Sequence, residues 1–155
     1  YETSTPVDSI ICLDGLEVVG AFLAEELAKA GVLSMNAHKT IYIVTPEFNG
    51  NGQLMFRDNI QHMVRNRNVV ILMGSITTGE TLRKCMESIL YYGGTIQGVS
   101  AIFSAVNKVA GLDINAVFYK KDVPNYQTHK ASECPMCKTG QKLDAIVNGY
   151  GYSKL

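Results

Sequence analysis

Hydroxyl side chains and glycines are concentrated in one segment of the chain, residues 74–81 (GSITTGET), between an apolar run and a helical pattern. Gly74 and Gly79 permit tight backbone turns, and a helix start offers free N–H groups at the positive end of its dipole. Thr77 or Thr78 could simply cap the helix, but capping alone does not account for four hydroxyls and two glycines in eight residues. The segment therefore predicts a phosphate-binding loop.

Acidic residues mark the loop that follows the first apolar run, residues 7–13 (VDSIICL). Asp14 and Glu17 lie just before a helical pattern, and their carboxylates could bind Mg²⁺. Acids near a helix N-terminus more commonly stabilise the helix dipole, so both interpretations stay open here. A third loop, residues 45–53 (TPEFNGNGQ), contains two glycines and is long enough to move as a lid.

The four cysteines are of two kinds. Cys12 lies in an apolar run and Cys85 on an apolar helical face, so both are expected in the core. Cys134 and Cys137 form a Cys-x-x-Cys pair, with His129 upstream as a third soft ligand. A structural zinc site needs four ligands, and a fourth would have to come from another histidine or a partner chain. Zinc is not expected. Reduced thiols or an occasional disulfide are expected in a cytoplasmic chain. A redox motif is less favoured still, because the pair does not open a helix after a first strand.

Apolar runs alternate with amphipathic segments along most of the chain. Short runs such as residues 69–73 (VVILM) are typical of strands buried on both faces of a parallel sheet. Apolar residues at helical spacing predict helices that face the sheet with these side chains. They are Val18, Val19, Phe22, Leu23 and Leu27 in one segment and Leu82, Cys85, Met86, Ile89 and Leu90 in another. Strands are predicted over residues 7–13, 40–44, 69–73, 95–104 and 114–119, and helices over residues 18–30, 54–64 and 80–92. The alternation predicts an α/β fold, a parallel sheet with helices on both faces.

Composition narrows the classes of protein that this chain can belong to. Hydrophobic residues make up 46% of its 155 residues, which excludes disordered and collagen-like chains. Lys plus Arg and Asp plus Glu both number 14, so no positive excess is available to bind a nucleic-acid backbone. The longest apolar runs fall far short of the roughly 20 residues that cross a bilayer, and no signal segment opens the chain. A cytoplasmic protein without nucleic-acid or membrane partners is expected.

Length sets the expected organisation. A chain of 155 residues predicts a single domain over residues 1–155. Its α/β core is expected in residues 7–119, followed by a polar, irregular tail in residues 120–155 in which Leu143, Ile146 and Val147 are compatible with a short helix. Tyr1 is not an initiator methionine, which is compatible with a missing N-terminal part.

The segment VVILMGSITTGETL resembles the phosphoribosyl-diphosphate signature of the type I phosphoribosyltransferases, an apolar strand, two acidic residues and a hydroxyl-rich loop containing T-T-G-x-T. The resemblance implies that a 5′-phosphate is held by Ser75, Ile76, Thr77, Thr78, Gly79, Glu80 and Thr81. The family's acidic pair, which grips the ribose hydroxyls, falls on Met73 and Gly74. Neither side chain can accept a proton or a hydroxyl hydrogen bond.

Two more segments extend the resemblance. The first loop, at Asp14, Gly15, Leu16 and Glu17, aligns with the family's pyrophosphate loop, but Cys12, Leu16 and Glu17 stand where glycines are expected. The third loop lacks the lysines that the orotate branch uses on departing pyrophosphate. The tail segment ECPMCKTG resembles a C-P-x-C-K-x-G segment of some orotate phosphoribosyltransferases. The chain is thus similar to the orotate-type branch, with degenerate catalytic motifs.

Three hypotheses follow from the resemblance. The first is a phosphoribosyltransferase-like homodimer that binds a ribose-5-phosphate compound, phosphoribosyl diphosphate or a nucleotide, with weak or lost transferase activity. The second is an active transferase that forms a pyrimidine nucleotide from phosphoribosyl diphosphate with Mg²⁺. The third, of another class, is a non-catalytic dimeric regulatory module whose phosphate loop is vestigial.

Overall fold

The computed structural model of the chain describes residues 5–29, 37, 39–130, 132–148 and 151–155. Its strands are β1 (Ser9–Cys12), β2 (Tyr42–Val44), β3 (Glu47–Phe48), β4 (Leu54–Met55), β5 (Asn68–Ile76), β6 (Thr95–Ser104), β7 (Lys108–Val109), β8 (Leu112–Tyr119), β9 (Ala145–Asn148) and β10 (Gly151–Lys154). Its helices are α1 (Glu17–Lys29), α2 (Glu80–Tyr91) and α3 (Pro135–Lys138), with short 3-10 turns at Gln61–Met63 and Lys120–Asp122. The chain forms two compact units, Tyr1–Val123 and Pro124–Leu155.

A six-stranded sheet forms the centre of the first unit, in the order β2-β1-β5-β6-β8-β7. Neighbouring strands from β2 to β8 pair in parallel, and β7 pairs with β8 antiparallel. Every predicted strand overlaps an observed one, so the parallel sheet and the α/β fold class are confirmed.

Alternating side chains of the central strands build a separate core on each face of the sheet. Ile10 and Cys12 of β1 pack with Leu72 of β5 in a cluster that α1 covers. Because successive side chains of a strand point to opposite faces, Ile11 and Ile71 belong to the larger cluster that α2 covers. The predicted placement of helices on both faces is therefore confirmed.

The helix predicted over residues 54–64 is wrong. Its first residues form β4, which pairs with β3 in an antiparallel hairpin, and the remainder forms turns and a 3-10 turn. The hairpin turn explains the difference: Asn49 Oδ1 accepts hydrogen bonds from the backbone N–H groups of Asn51 (2.9 Å) and Gln53 (3.0 Å). Such side-chain bonds to the following backbone reverse the chain and compete with a helix.

One face of α1 points to solvent, contrary to the predicted stripe. Val18, Val19 and Phe22 are 69%, 44% and 64% exposed. Leu23 and Leu27 of the predicted stripe do pack against the sheet. The helix also meets the sheet through Gly20, whose missing Cβ lets the helix backbone lie directly against the Cys12 sulfur. The predicted end of this helix at residues 30–31 lies outside the described residues.

The second helix of the first unit, α2, agrees closely with its prediction over residues 80–92. Its buried side chains recur at spacings of three and four residues: Leu82, Cys85, Met86 and Ile89. Leu90, predicted on the same stripe, is 59% exposed, because the position after Ile89 turns away from the sheet. In the part of the chain that the structure describes, no helix has the length and apolar character needed to span a membrane.

A hairpin at the sheet edge was not predicted. Ala110 (φ 49°) and Gly111 (φ 83°) form the two-residue turn between β7 and β8. Positive φ at both positions is typical of such hairpin turns. Because β7 is only two residues long, it gives no periodic signal in the sequence. The hairpin places the side chain of Val109 against the loop that precedes α2.

The second unit, Pro124–Leu155, contains α3 and an antiparallel pair of strands, β9 and β10. The short helix considered for Leu143, Ile146 and Val147 is wrong, since Ala145–Asn148 is β9. The β-branched Ile146 and Val147 favour an extended chain that β10 pairs. The expectation of an irregular tail is likewise wrong for these segments. A single domain over residues 1–155 stays a prediction.

Candidate functional site

The predicted phosphate loop lies at the carboxyl end of β5 and leads into α2. β5 continues through Gly74 and Ser75 to Ile76, so the irregular segment is shorter than predicted and covers only residues 77–79. Loops at this edge of a parallel sheet are the usual ligand-binding positions of open α/β folds. Several of the predicted phosphate-binding residues are exposed there, namely Ser75, Thr77, Thr78, Glu80 and Thr81.

Gly79 fixes the geometry of this loop. Its φ of +84° is left-handed, and a Cβ at this position would come within 2.6 Å of Val109 Cγ2 on β7. The chain can therefore turn into α2 only without a side chain at residue 79. Ile76, also among the predicted ligand residues, is buried in the core, so its contribution is restricted to its backbone.

The start of α2 presents backbone donors to the loop. Among the described residues, the N–H groups of Thr81 and Leu82 have no backbone acceptor, and the first bond back to the loop runs from Arg83 N–H to the Gly79 carbonyl (2.9 Å). The Glu80 N–H makes a long contact of 3.5 Å to Thr78 Oγ1. A cavity of about 40 Å³ is lined by Met73 and residues 75–82. Free N–H groups at a helix start with hydroxyls beside them suit an anion.

The loop after β1 lies beside β5 and carries the two acids. Asp14 (φ 58°) and Gly15 (φ 76°) are both left-handed, and Glu17 opens α1. Asp14 Oδ2 accepts a hydrogen bond of 3.0 Å from the backbone N–H of Gly74. Glu17 Oε1 accepts one of 2.9 Å from the hydroxyl of Thr45, at the end of β2. Both carboxylates are thus positioned by neighbouring strand ends.

Met73 and Gly74, at the positions of the family's acidic pair, lie in different surroundings in this chain. Met73 is 2% exposed, and its side chain packs in the core beneath α2. Gly74 faces the opposite way, and a Cβ there would lie 3.3 Å from both Cβ and Oδ2 of Asp14. The space that a side chain at residue 74 would use is therefore partly filled by Asp14.

The predicted lid is the β3–β4 hairpin. Arg57, just after β4, forms a bidentate pair with Glu47 of β3, with Nε–Oε1 and Nη2–Oε2 distances of 2.8 and 2.6 Å. These hydrogen bonds lower the pKa of the Glu47 carboxyl and raise the pKa of Arg57. The charge of Arg57 is therefore paired at the base of the hairpin.

Sequence reasoning missed Lys84, whose ammonium group lies beside Gly52 of this hairpin turn. Its Nζ lies 3.6 Å from where a Cβ on Gly52 would be, on the side of α2 that the hairpin covers. Between hairpin and helix is a cavity of about 720 Å³, a volume in the range of small-molecule sites, with a mixed polar and aromatic lining. It is lined by Asn49, Asn51, Gln53, Leu54, Met55, Lys84, Glu87, Ser88, Tyr91 and Tyr92.

The four cysteines divide as predicted. Burial raises the pKa of the Cys12 thiol to about 12, with help from the charge of Glu17, and raises the pKa of Cys85 to about 12. Cys134 is the N-cap residue of the one-turn helix α3 and Cys137 is its third residue. This helix does not follow the first strand of the sheet, and it lies in the segment that was expected to be irregular. Hydrogen bonds from the Cys137 N–H and thiol lower the pKa of Cys134.

The candidate zinc ligands are not gathered by the structure. Among the described residues, no three side chains of Cys, His, Asp or Glu are grouped so that they could hold a metal ion. His129 lies instead beside Gln127, with an Nε2–Oε1 distance of 3.2 Å. His129, Cys134 and Cys137 therefore do not form a three-ligand cluster in this conformation.

Comparison with known proteins identifies the fold. No family model matches the sequence, and no curated protein matches it. The solved adenine phosphoribosyltransferase of Thermoanaerobacter pseudethanolicus is similar, with 17% identity and a TM-score of 0.53 over 75% of this chain and 71% of that one. The hypoxanthine phosphoribosyltransferase of Trypanosoma cruzi is 14% identical, with a TM-score of 0.53 over 79% of this chain and 64% of that one. The chain has the phosphoribosyltransferase fold.

These likenesses extend to the fold and no further. At 14% and 17% identity, the purine substrates that the two enzymes are named for are not assigned to this chain. The chain also spans less than two thirds of the hypoxanthine enzyme, 64% of its length. The phosphoribosyltransferase fold does agree with the resemblance found in the β5–α2 segment, which was the most specific motif of the sequence.

Proposed function

We propose that this chain binds the 5′-phosphate of a ribose-phosphate compound in the loop between β5 and α2. The observation that carries the proposal is the position of the hydroxyl-rich segment, at the carboxyl edge of a phosphoribosyltransferase-fold sheet and against the free N–H groups of a helix start. The ligand residues would be Ser75, Ile76, Thr77, Thr78, Gly79, Glu80 and Thr81, Ile76 and Gly79 through their backbone.

The same proposal holds that transfer of the phosphoribosyl group is weak or lost. Stabilising a cationic sugar and a departing pyrophosphate requires fixed charges, and one well-placed electrostatic group commonly contributes about 10²- to 10³-fold in rate. Met73 is buried in the core and Gly74 has no side chain, so neither supplies a carboxylate. Arg57 is already paired with Glu47. The tail segment ECPMCKTG resembles a segment of some orotate phosphoribosyltransferases, and this resemblance supports a place for the chain in the orotate-type branch.

Mg²⁺ belongs to this proposal only together with phosphoribosyl diphosphate. Asp14 and Glu17 fit such an ion, because Mg²⁺ is commonly held by one or two carboxylates and the phosphates of its substrate. Each of the two carboxylates has one oxygen engaged, with Gly74 and with Thr45, and one remaining. The ion would offset the repulsion between these acids and a diphosphate.

One observation favours the alternative of an active transferase that forms a pyrimidine nucleotide. Lys84 brings a positive charge under the β3–β4 hairpin, where the sequence itself contains no lysine. A cation beside this hairpin could neutralise a leaving pyrophosphate. If Lys84 does so, activity persists without the acidic pair, and Lys84→Met abolishes it.

Assembly as a homodimer is the second part of the proposal. Val18, Val19 and Phe22 form an exposed apolar face on α1, of the kind that a second copy would cover. Light scattering at micromolar concentration is expected to return twice the chain mass of 16.9 kDa. A mass of 16.9 kDa would contradict this part, and it would also exclude the dimeric regulatory module. Cytoplasmic localisation stays a prediction from the apolar pattern of the sequence.

Calorimetry and an activity assay together test the proposal. Titration with ribose 5-phosphate and with phosphoribosyl diphosphate plus Mg²⁺ is expected to show saturable binding. Turnover with orotate is expected near or below detection. A turnover number of about 1 per second or more would refute weak transfer and establish the active alternative. Absence of binding by either sugar phosphate would refute the proposed site.

A further inference from the structure

We propose that Asp14 is the residue that selects the sugar in this site: its free oxygen accepts a hydrogen bond from a ring hydroxyl of a pentose 5-phosphate. The inference rests on the proposed phosphate site between β5 and α2. It assigns to the first loop a task for which Met73 and Gly74 have no suitable side chain. The ligand class that follows is a hydroxyl-bearing sugar monophosphate.

The geometry begins with the bond between Asp14 and the neighbouring strand. Asp14 Oδ2 accepts from the Gly74 N–H at 3.0 Å, which fixes the carboxylate over the end of β5. The absence of a side chain at Gly74 makes this possible, because a Cβ there would lie 3.3 Å from Oδ2 and Cβ of Asp14. The side chain is exposed, so its second oxygen, Oδ1, is available to a ligand.

The distance to the phosphate loop suits a pentose. Gly74 to Ile76 are the last residues of β5 and Thr77 follows them directly, so the chain from Gly74 to Thr77 spans at most about 10 Å. A pentose 5-phosphate with a hydrogen bond at each end spans a distance of this order. With its phosphate at the start of α2, its ring hydroxyls would therefore point toward Asp14.

Charge makes the role of Asp14 specific. A carboxylate is acceptor-only and repels anions, so beside an anion site it worsens the binding of a bare phosphate and improves the binding of a phosphate that carries hydroxyl donors. Glu17 adds a second negative charge to the same loop, held by Thr45. In the absence of a divalent cation, the loop thus favours a monophosphate sugar over a diphosphate.

The decisive variant is Asp14→Asn. The amide oxygen can keep the bond to the Gly74 N–H, and the amide nitrogen then replaces the free acceptor with a donor. Removing the charge should leave inorganic phosphate binding unchanged or tighter. The affinity for ribose 5-phosphate should fall about tenfold, because the hydroxyl loses its hydrogen bond to a charged acceptor and can at most accept a weaker, neutral one from the amide N–H. If the affinity for phosphate rises or stays the same while the affinity for ribose 5-phosphate falls, Asp14 acts as a hydroxyl acceptor and not only as a repulsive charge.

The experiment is calorimetric titration of the full chain in EDTA with inorganic phosphate, ribose 5-phosphate and phosphoribosyl diphosphate. Glu17→Gln is the matched control, because it removes the same charge from the same loop and should change the affinities for phosphate and ribose 5-phosphate in the same direction. Circular dichroism and the unfolding midpoint verify that Asp14→Asn folds as the wild type does.

Two results would overturn the inference in distinguishable ways. If the wild type binds ribose 5-phosphate and Asp14→Asn leaves that affinity unchanged or tighter, Asp14 is not a hydroxyl acceptor, and the proposed phosphate site survives. If the wild type binds neither phosphate nor ribose 5-phosphate at millimolar concentration, the proposed function fails and this inference fails with it.

Discussion

The loops that follow β1 and β5 lie side by side at one edge of the sheet but have opposite chemistry. The β5 loop carries hydroxyls, a left-handed glycine packed against Val109, and the free N–H groups of α2. The β1 loop carries two carboxylates, and its left-handed Gly15 has open space around it. One loop is closely packed at its glycine and suits an anion, and the other has open space beside its glycine and suits hydroxyl donors or a cation. The contrast indicates a site for a ligand with both a phosphate and hydroxyls.

The largest expected effect breaks the constrained loop. Gly79→Ala should lower the free energy of unfolding by about 3 kcal/mol, from a left-handed alanine and from the clash with Val109. Gly15→Ala, also left-handed at φ +76° but with nothing within 4 Å, should lower it by about 1 kcal/mol. Urea unfolding of both variants measures the difference. Equal losses would show that the two loops are equally constrained.

A second prediction concerns the ligand chemistry of the β5 loop. Replacing both Thr77 and Thr78 by Val keeps the shape and removes two exposed hydroxyls, and should weaken ribose 5-phosphate binding about tenfold. Thr45→Val is the matched control: it removes a hydroxyl that contacts Glu17 of the other loop and should leave that affinity within about twofold. If the double variant binds as the wild type does, the loop is only a helix start and the regulatory-module hypothesis gains support.

A third prediction tests how closely α1 rests on the strand beneath the β1 loop. Glycine to alanine in a helix interior normally stabilises by about 1 kcal/mol. Gly20→Ala should instead destabilise by about 1 kcal/mol, because the added methyl group meets the Cys12 sulfur. Thermal unfolding shows the sign. A gain in stability would mean that α1 can shift away from β1 to make room for the methyl group.

The smallest effect uses thiol reactivity to compare the cores under the two loops. Cys12 lies under the β1 loop and Cys85 on α2, and burial raises the pKa of each to about 12. At pH 8 a thiol of that pKa is about 0.01% thiolate, against about 10% for one at the ordinary 9.0. Both should react with iodoacetamide far more slowly than Cys134, whose pKa the Cys137 N–H and thiol lower. Mass spectrometry of timed samples at pH 7 and 8 measures the three rates. Fast labelling of Cys12 alone would reveal opening of the β1 region.

The positions of the parallel strands along the chain and of the phosphate loop could be predicted from the sequence, because buried apolar runs and the T-T-G-x-T spacing are local signals. The β3–β4 hairpin could not be predicted, because the apolar residues after Leu54 recur at helical spacing. The two hydrogen bonds that Asn49 Oδ1 accepts from the following backbone stabilise a turn there instead. The contact of Asp14 with Gly74 was equally hidden, because it joins residues 60 positions apart. Which side of α1 packs depended on Gly20 and Cys12, a close approach that hydrophobic periodicity does not encode.

The central claim is that the β5–α2 loop binds the phosphate of a ribose phosphate, and amide chemical shifts test it at the residues concerned. Titrating ¹⁵N-labelled protein with ribose 5-phosphate should shift the amide signals of residues 78–82, where the helix start offers its N–H groups. The signal of Gly74, whose N–H bonds to Asp14, should move as well. Shifts confined to the cavity between the β3–β4 hairpin and α2, around Lys84 and Tyr91, or no shifts at millimolar ligand, would contradict the account.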